Sequence, residues 1–314
     1  MLKQALRDFL AARLARWLRH FALDPRYFEL WQAHGYHVQQ VHFYNPLPDT
    51  RALPERTWSA VSELPGLDLN EPAQLRLLAE LQARFRSEYA SLPDSKPAGP
   101  PRFYFGNGSF ETGDAELLYC LVRHQRPRRF VEIGSGFTTL LAAQALARNR
   151  SEGSECALTA IEPYPPTFLR ETLPVPVELV AEPVQNVPLE RFTSLRDGDI
   201  LFIDSSHVCK IGSDVQYEFL EILPRLAPGV LVHIHDIFLP KEYPREWVQN
   251  WHRFWNEQYL LQAFLCGNRD FEVLWAGTWM HLRHPEKLAA AFPSYQPKTS
   301  WLGSFWIRRR QLPR

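Results

Sequence analysis

The chain has 314 residues, with 35 Lys+Arg against 35 Asp+Glu, so its formal charge is zero and no global field for nucleic acid is expected. That length can bury a full core, and one large domain beside a smaller lobe is the natural organisation. Four cysteines (Cys120, Cys156, Cys209 and Cys266) lie far apart without C-x-x-C spacing, which speaks against a zinc site and a disulfide scaffold. No apolar run approaches the ~20 residues of an integral membrane span, and the charged N-terminus lacks the core of a signal peptide. A cytoplasmic location follows as the expectation.

In chain order, the first element is a helix. Leu2, Leu6, Phe9, Leu10, Leu14, Trp17, Leu18 and Phe21 recur at helical spacing. Lys3, Arg7, Arg13, Arg16 and Arg19 add a basic surface against one acid, Asp8. Such a helix packs on its own lobe or on a second subunit of a homo-oligomer. The other option is a peripheral membrane contact through residues 1–21, on an anionic surface. Residues 37–53 read as strand or loop, because their prolines argue against a helix. Residues 71–90 read as a helix with Leu75, Leu77, Leu78, Leu81 and Phe85 on its apolar side. The stretch 91–101 carries Pro93, Pro97, Pro100 and Pro101 and reads as a connector. It divides an N-terminal mainly helical lobe, 1–100, from a second domain, 101–314.

Beyond the connector, strands alternate with helices. Residues 130–133 form a short apolar strand, Gly134-Ser135-Gly136 turns, and 140–147 begin a helix. Strand, glycine turn and helix together bring bare backbone against a nucleotide-like ligand. Glycine suits that place because a Cβ would block the ligand or strain the chain. Strand two, 157–162, ends on Glu162, and a carboxylate there can accept two ribose hydroxyls. The position three after Gly136 is Thr139, so the third glycine of a pyrophosphate site is missing. Glu132 sets a second acid beside the turn, where it would repel a pyrophosphate and attract a sulfonium or an amine. The charges favour S-adenosylmethionine over a dinucleotide, and hence disfavour a nicotinamide oxidoreductase. Strands follow at 177–181, 200–204 and 230–235, with a helix over 213–226; 271–275 and 304–308 supply the last two, with an insert at 281–301 between them. This alternation predicts a doubly wound α/β sheet, parallel and covered on both faces.

Glu132-x-Gly134-x-Gly136, Glu162, the run Asp199 to His207 and the run Gly229 to Asp236 resemble the motifs of class I S-adenosylmethionine-dependent methyltransferases, most closely the methyltransferase-24 domain type. The resemblance implies a Rossmann-like sheet, mostly parallel, whose last strand runs antiparallel through Phe305 to Arg308. It implies that Glu132, Gly134, Ser135 and Gly136 line the methionine end of the cofactor and that Glu162 holds its ribose. Asp204 would join the cofactor site, and Asn107 would lie on a loop that closes over it.

Chemistry is expected where the strands end. Asp204 and His207 follow strand four, and His235 and Asp236 end strand five. Methyl transfer needs an aligned acceptor and a group to take its proton. His207 is the first candidate for general base and His235 the second, with Asp204 beside them. Some class I O-methyltransferases hold a divalent metal with an acid after strand four and an Asp-Asn pair after strand five. Asp204 and Asp236 match the acids, but the Asn position is Ile237. His207, His233 or His235 could replace the missing ligand and shift selection from Mg²⁺ toward a transition metal. The plainer alternative leaves Asp204 bonding backbone and His233 in the core. After strand five, Trp247, Trp251, Phe254 and Trp255 at helical spacing read as core or lid packing, with stacking on a sugar or an aromatic ring as the alternative, and Glu257 reads as structural. The expected activity is methylation of a hydroxyl on a small-molecule or saccharide acceptor, with N-methylation a close variant. A non-catalytic cofactor-binding or assembly protein on the same fold is the second expectation.

Overall fold

The computed structural model describes residues 2–311. The chain divides into two compact units, one ending at Thr57 and one beginning at Trp58. In the first, a helix covers Leu2–Leu18, and two short helical turns follow at Pro25–Tyr27 and Phe28–Ala33. Asp24 caps the first of those turns by accepting from the Arg26 amide. Leu6, Phe9, Leu10, Leu14 and Trp17 are each more than half exposed. Met1 and the Leu2 side chain, part of the expected apolar stripe, lie outside the described residues. Residues 37–53 form turns and bends with no helix or strand, in keeping with Pro46 and Pro48.

The second unit is built on seven strands: β1 (Arg129–Ile133), β2 (Ala157–Ile161), β3 (Val177–Val180), β4 (Ile200–Ile203), β5 (Leu231–Ile234), β6 (Phe271–Ala276) and β7 (Phe305–Arg309). Their order across the sheet is β3-β2-β1-β4-β5-β7-β6. β1 to β5 pair in parallel, and β7 runs antiparallel to both neighbours. Each strand begins and ends within one residue of its sequence expectation. Alternate side chains feed two cores. Phe130, Phe202 and Trp306 pack on one face with residues of the helices Glu71–Tyr89 and Asp114–Gln125, such as Leu81 and Leu117. Val131, Ile203 and Val232 pack on the other with Phe219 and Leu261. A sheet buried on both faces needs this continuous apolar content rather than simple alternation.

Two elements differ from expectation. The helix Glu71–Tyr89 buries Leu78, Leu81, Phe85 and Tyr89 in the core of the second unit, so the division falls before Trp58 and not in the proline connector. The helix expected over 213–226 is broken into Asp214–Tyr217, a π-helical turn Glu218–Ile222 and a tight turn Leu223–Arg225. Pro224 cannot donate to the ladder, which accounts for the tightened end. Among the described residues, no helix is long and apolar enough to cross a membrane. The strand order reverses between β1 and β4, and the crevice above that reversal is where ligands enter such sheets.

Candidate active site

Gly134 follows β1 with φ 81°, and a Cβ there would meet the Asp204 carbonyl oxygen at 1.8 Å. The two strand ends are tied at this level, since the Asp204 amide donates to the Ile133 carbonyl at 2.8 Å. Gly134 is thus demanded first by the closeness of β1 and β4. Gly136 is different: its backbone is extended and nothing lies within 4 Å of a built Cβ. The space it leaves is open, and the Ser135 hydroxyl beside it is buried without a partner. A cleft of about 510 Å³ opens over the strand ends, with Gly134, Glu162, Tyr164, Asp204, Ser206 and Asp214 among its lining. Glu162 is half-buried and accepts from the Tyr164 amide at 2.8 Å.

Of the residues expected at the cofactor, Gly134, Glu162 and Asp204 line this cleft, whereas Ser135, Gly136, Glu132 and Asn107 do not, and the last two spend their polar atoms elsewhere. Glu132 is fully buried and does not line the cleft. It accepts from the hydroxyls of Thr138 and Thr139, the latter at 2.6 Å, and so ties β1 to the helix Phe137–Ser151. Burial pushes its pKa up to about 8 against those hydrogen bonds. Asn107 spends its amide on its own loop: it donates to the carbonyls of Tyr104 and Phe110, and it accepts from the amides of Ser109 and Phe110. The loop it shapes presents Gly108 and Ser109 to a second cleft instead.

The acid and histidine edge does assemble. His207 Nε2 lies 3.3 Å from Asp204 Oδ1 and 3.6 Å from Asp236 Oδ2, while its Nδ1 meets Glu257 Oε2 at 2.8 Å. Both His207 (φ 61°) and Asp236 (φ 53°) hold left-handed backbone, a cost that non-glycine residues bear mainly where geometry is over-determined. Burial favours neutral His207, but the carboxylates of Asp204, Glu257 and Asp236 outweigh it and hold the imidazole pKa well above its usual value. Burial likewise opposes ionisation of Asp204, yet His235 and His207 keep its pKa low. One donor atom from each of Asp204, His207 and Asp236 falls within 4.8 Å of the others. Two carboxylates and one imidazole, whose far nitrogen is fixed by a buried carboxylate, form a donor set that fits a divalent metal ion. His233 stands apart. It is fully buried, stacked on Phe202 at 3.9 Å, and bonded through Nε2 to the Ser304 hydroxyl, so it belongs to the core.

The second cleft, about 670 Å³, is lined by Asp204, His235 and Asp236 and by a set of indoles. The indoles do not share a helical face, because the helix Arg245–Gln249 stops before Trp251. Trp247 instead stacks with Trp251 at 5.8 Å and with Trp301 at 6.0 Å, the latter pair only 3° from parallel. Trp247, Trp251, Trp255 and Trp301 all line the cleft, the position of lid residues that flank a pocket. The insert after β6 contributes Ser294, Gln296, Thr299, Ser300 and Trp301 to the wall. Asp114, at the start of the largely buried helix Asp114–Gln125, takes the Gly303 and Ser304 amides on Oδ2, while Oδ1 has no partner among the described residues. Burial raises its pKa to about 7. Sequence reasoning missed Asp114, Glu257 and Arg253 as site residues. Glu257 lies fifty positions from the histidine it holds, and only a folded chain brings the two together.

A sheet with strand order β3-β2-β1-β4-β5-β7-β6, one antiparallel strand and a cleft at the β1/β4 reversal has the architecture of the class I methyltransferases. Residues 131–237 match the family described as Methyltransferase domain. An uncharacterized protein of Archaeoglobus fulgidus is 34% identical over 171 residues, which cover 51% of this chain and 74% of that protein. The chain belongs to this methyltransferase family. Among solved structures, the O-methyltransferase from Bacillus cereus in complex with SAH is 15% identical with a TM-score of 0.37, covering 76% of this chain and 91% of that one. A CmcI structure with SAH is 14% identical with a TM-score of 0.38, covering 72% of this chain and 91% of that one.

Proposed function

We propose that this chain is an S-adenosylmethionine-dependent O-methyltransferase acting on a hydroxyl of a small molecule or saccharide. The observation that carries the proposal is Asp204, which lines both clefts and so marks where donor and acceptor meet. The donor lies over Gly134, uses the open space at Gly136, and gives its ribose hydroxyls to Glu162. The acceptor enters the indole-lined cleft with its hydroxyl toward Asp204 and Asp236. Alignment at such a junction supplies much of the rate of a reaction whose donor is already activated.

His207 lines neither cleft, and its two ring nitrogens already face Asp204 and Asp236 on one side and Glu257 on the other. Its role in this reading shifts from general base to anchor of the acidic edge. His235, which lines the acceptor cleft, takes the hydroxyl proton. Asp204, His207 and Asp236 would hold a divalent metal, with Glu257 orienting the imidazole. Bound there, the ion would lower the pKa of a hydroxyl on it. An imidazole in the set favours a transition metal over Mg²⁺.

Titration calorimetry with S-adenosylhomocysteine, then methyl release against hydroxylated acceptors with and without EDTA, tests the reading. Expected are a binding heat, turnover on at least one acceptor, and EDTA inhibition reversed by a divalent ion. No heat with S-adenosylhomocysteine sinks the proposal. Heat without turnover on any acceptor returns the chain to the non-catalytic alternative.

A further inference from the structure

We infer that the acceptor is an anionic ring compound, its carboxylate or phosphate bound by Arg253 while the ring lies against the neighbouring indoles. The inference deepens the proposed function and rests on it for the identity of the acceptor cleft. The Arg253 guanidinium carbon lies 4.9 Å from the ring centroids of Trp247, Trp251 and Trp255 alike. Attraction to ring faces draws on the cation's charge but leaves its five N–H donors unspent. Among the described residues, no carboxylate stands within ion-pair distance of Arg253 and its side chain makes no hydrogen bond to protein.

The surroundings sharpen the point. Arg253 is the one Arg or Lys among the described residues lining the cleft, and its other ionisable neighbours there are Glu111, Asp114, Asp204, Asp236 and His235. A ligand's anion is repelled by those carboxylates and attracted at Arg253, whose charge also acts on Asp236. Arg253 is already half-buried. A neutral ligand covering it would strip its water and return no charge, whereas an anion compensates. The planar fork matches a carboxylate or a phosphate in two parallel hydrogen bonds. Trp251 and Trp301, 51% and 50% exposed, offer flat apolar faces on the same cleft. Rings fit such faces, aromatic ones by stacking and sugars through their C–H side. The unpartnered Oδ1 of Asp114, which is 4% exposed, is a hydrogen-bonding atom for a ring hydroxyl.

The test is titration calorimetry on the full chain saturated with S-adenosylhomocysteine. The probes are glucose, glucuronate and a glucose phosphate, then catechol and its carboxylated counterpart protocatechuate. In at least one set the anionic probe should bind ~10-fold or more tightly than the neutral one, the scale of a charge-assisted pair. Comparing glucuronate with the phosphate separates the two kinds of anion. Arg253→Gln should erase the preference and leave the S-adenosylhomocysteine heat as in the parent. Arg253→Lys, which keeps the charge and loses the fork, should retain part of the preference. Equal affinity for neutral and anionic probes, no binding by any probe, or a preference that survives Arg253→Gln overturns the inference. The methyltransferase reading stands through each of those outcomes while the S-adenosylhomocysteine heat persists, and falls only if that heat is missing.

Discussion

A side chain on Gly134 would have to displace the backbone of Asp204 and adopt φ 81°, whereas one on Gly136 would meet nothing. Gly134→Ala should therefore lose at least ~3 kcal/mol of stability, since strain and a clash with fixed backbone add. Gly136→Ala should keep its stability within ~0.5 kcal/mol and still bind S-adenosylhomocysteine at least ~10-fold more weakly. Thermal melts and calorimetry on the pair check both halves, and normal binding by Gly136→Ala would show that the cofactor does not use that space. Glu132 carries a pH signature. Its folded pKa of about 8 lies above the ordinary 4.5, so the folded chain keeps a proton that the unfolded chain has lost. The stabilisation from that proton is complete below pH 4.5 and fades as pH climbs to about 8. Glu132→Gln should flatten this limb in denaturant melts across that range, and an unchanged slope would assign the limb to other groups. At this scale the sequence displayed the glycines and acids openly. It hid what each one does, because a ligand contact and a packing contact select the same residue type.

The ends of β4 and β5 and the first turn of the helix Glu257–Leu265 converge on His207. The strands were readable because runs such as Ile200–Ile203, apolar throughout, and Leu231–Ile234, apolar but for His233, stop at turn signals. Glu257 was not, since an acid in the first helical turn is common on dipole grounds alone. Its bond to His207 Nδ1 predicts that Glu257→Gln weakens divalent-ion affinity ~10- to 100-fold, with S-adenosylhomocysteine affinity unchanged. A metal titration monitored by calorimetry decides this, and parental affinity would leave Glu257 as structural filler. Because the surrounding carboxylates raise the His207 pKa, an incoming cation competes with a proton for that nitrogen, so its affinity should rise with pH. Titrations in buffers of different ionisation heat count the released proton. His235→Ala should cut turnover ~100- to 10,000-fold at unaltered cofactor affinity, and a parental rate would remove His235 as base.

The chain as a whole splits before Trp58, and the buried clusters begin only at Leu64 and Leu78. A chain starting at Trp58 should melt cooperatively and bind S-adenosylhomocysteine like the full protein. Aggregation or a broad melt would mean the first unit supplies cover that the core requires. Prolines at 93–101 signalled a boundary that packing places elsewhere. Chain breakers mark where an element ends, while a domain ends where apolar surface runs out, and the helix Glu71–Tyr89 still has Leu81 and Phe85 to bury. The fold class, by contrast, was legible from the strand-helix rhythm alone.

Asp204 stands as a party wall between two chambers, and a shared wall conducts. A positive guest on one side makes that carboxylate a poorer partner for charge on the other, and occupancy of either chamber alters the water both once held. Thermodynamic reciprocity then requires each guest to change its companion's affinity by the same factor. Dissociation constants taken one compound at a time will consequently describe a half-furnished enzyme, and the order of addition becomes an experimental variable in its own right.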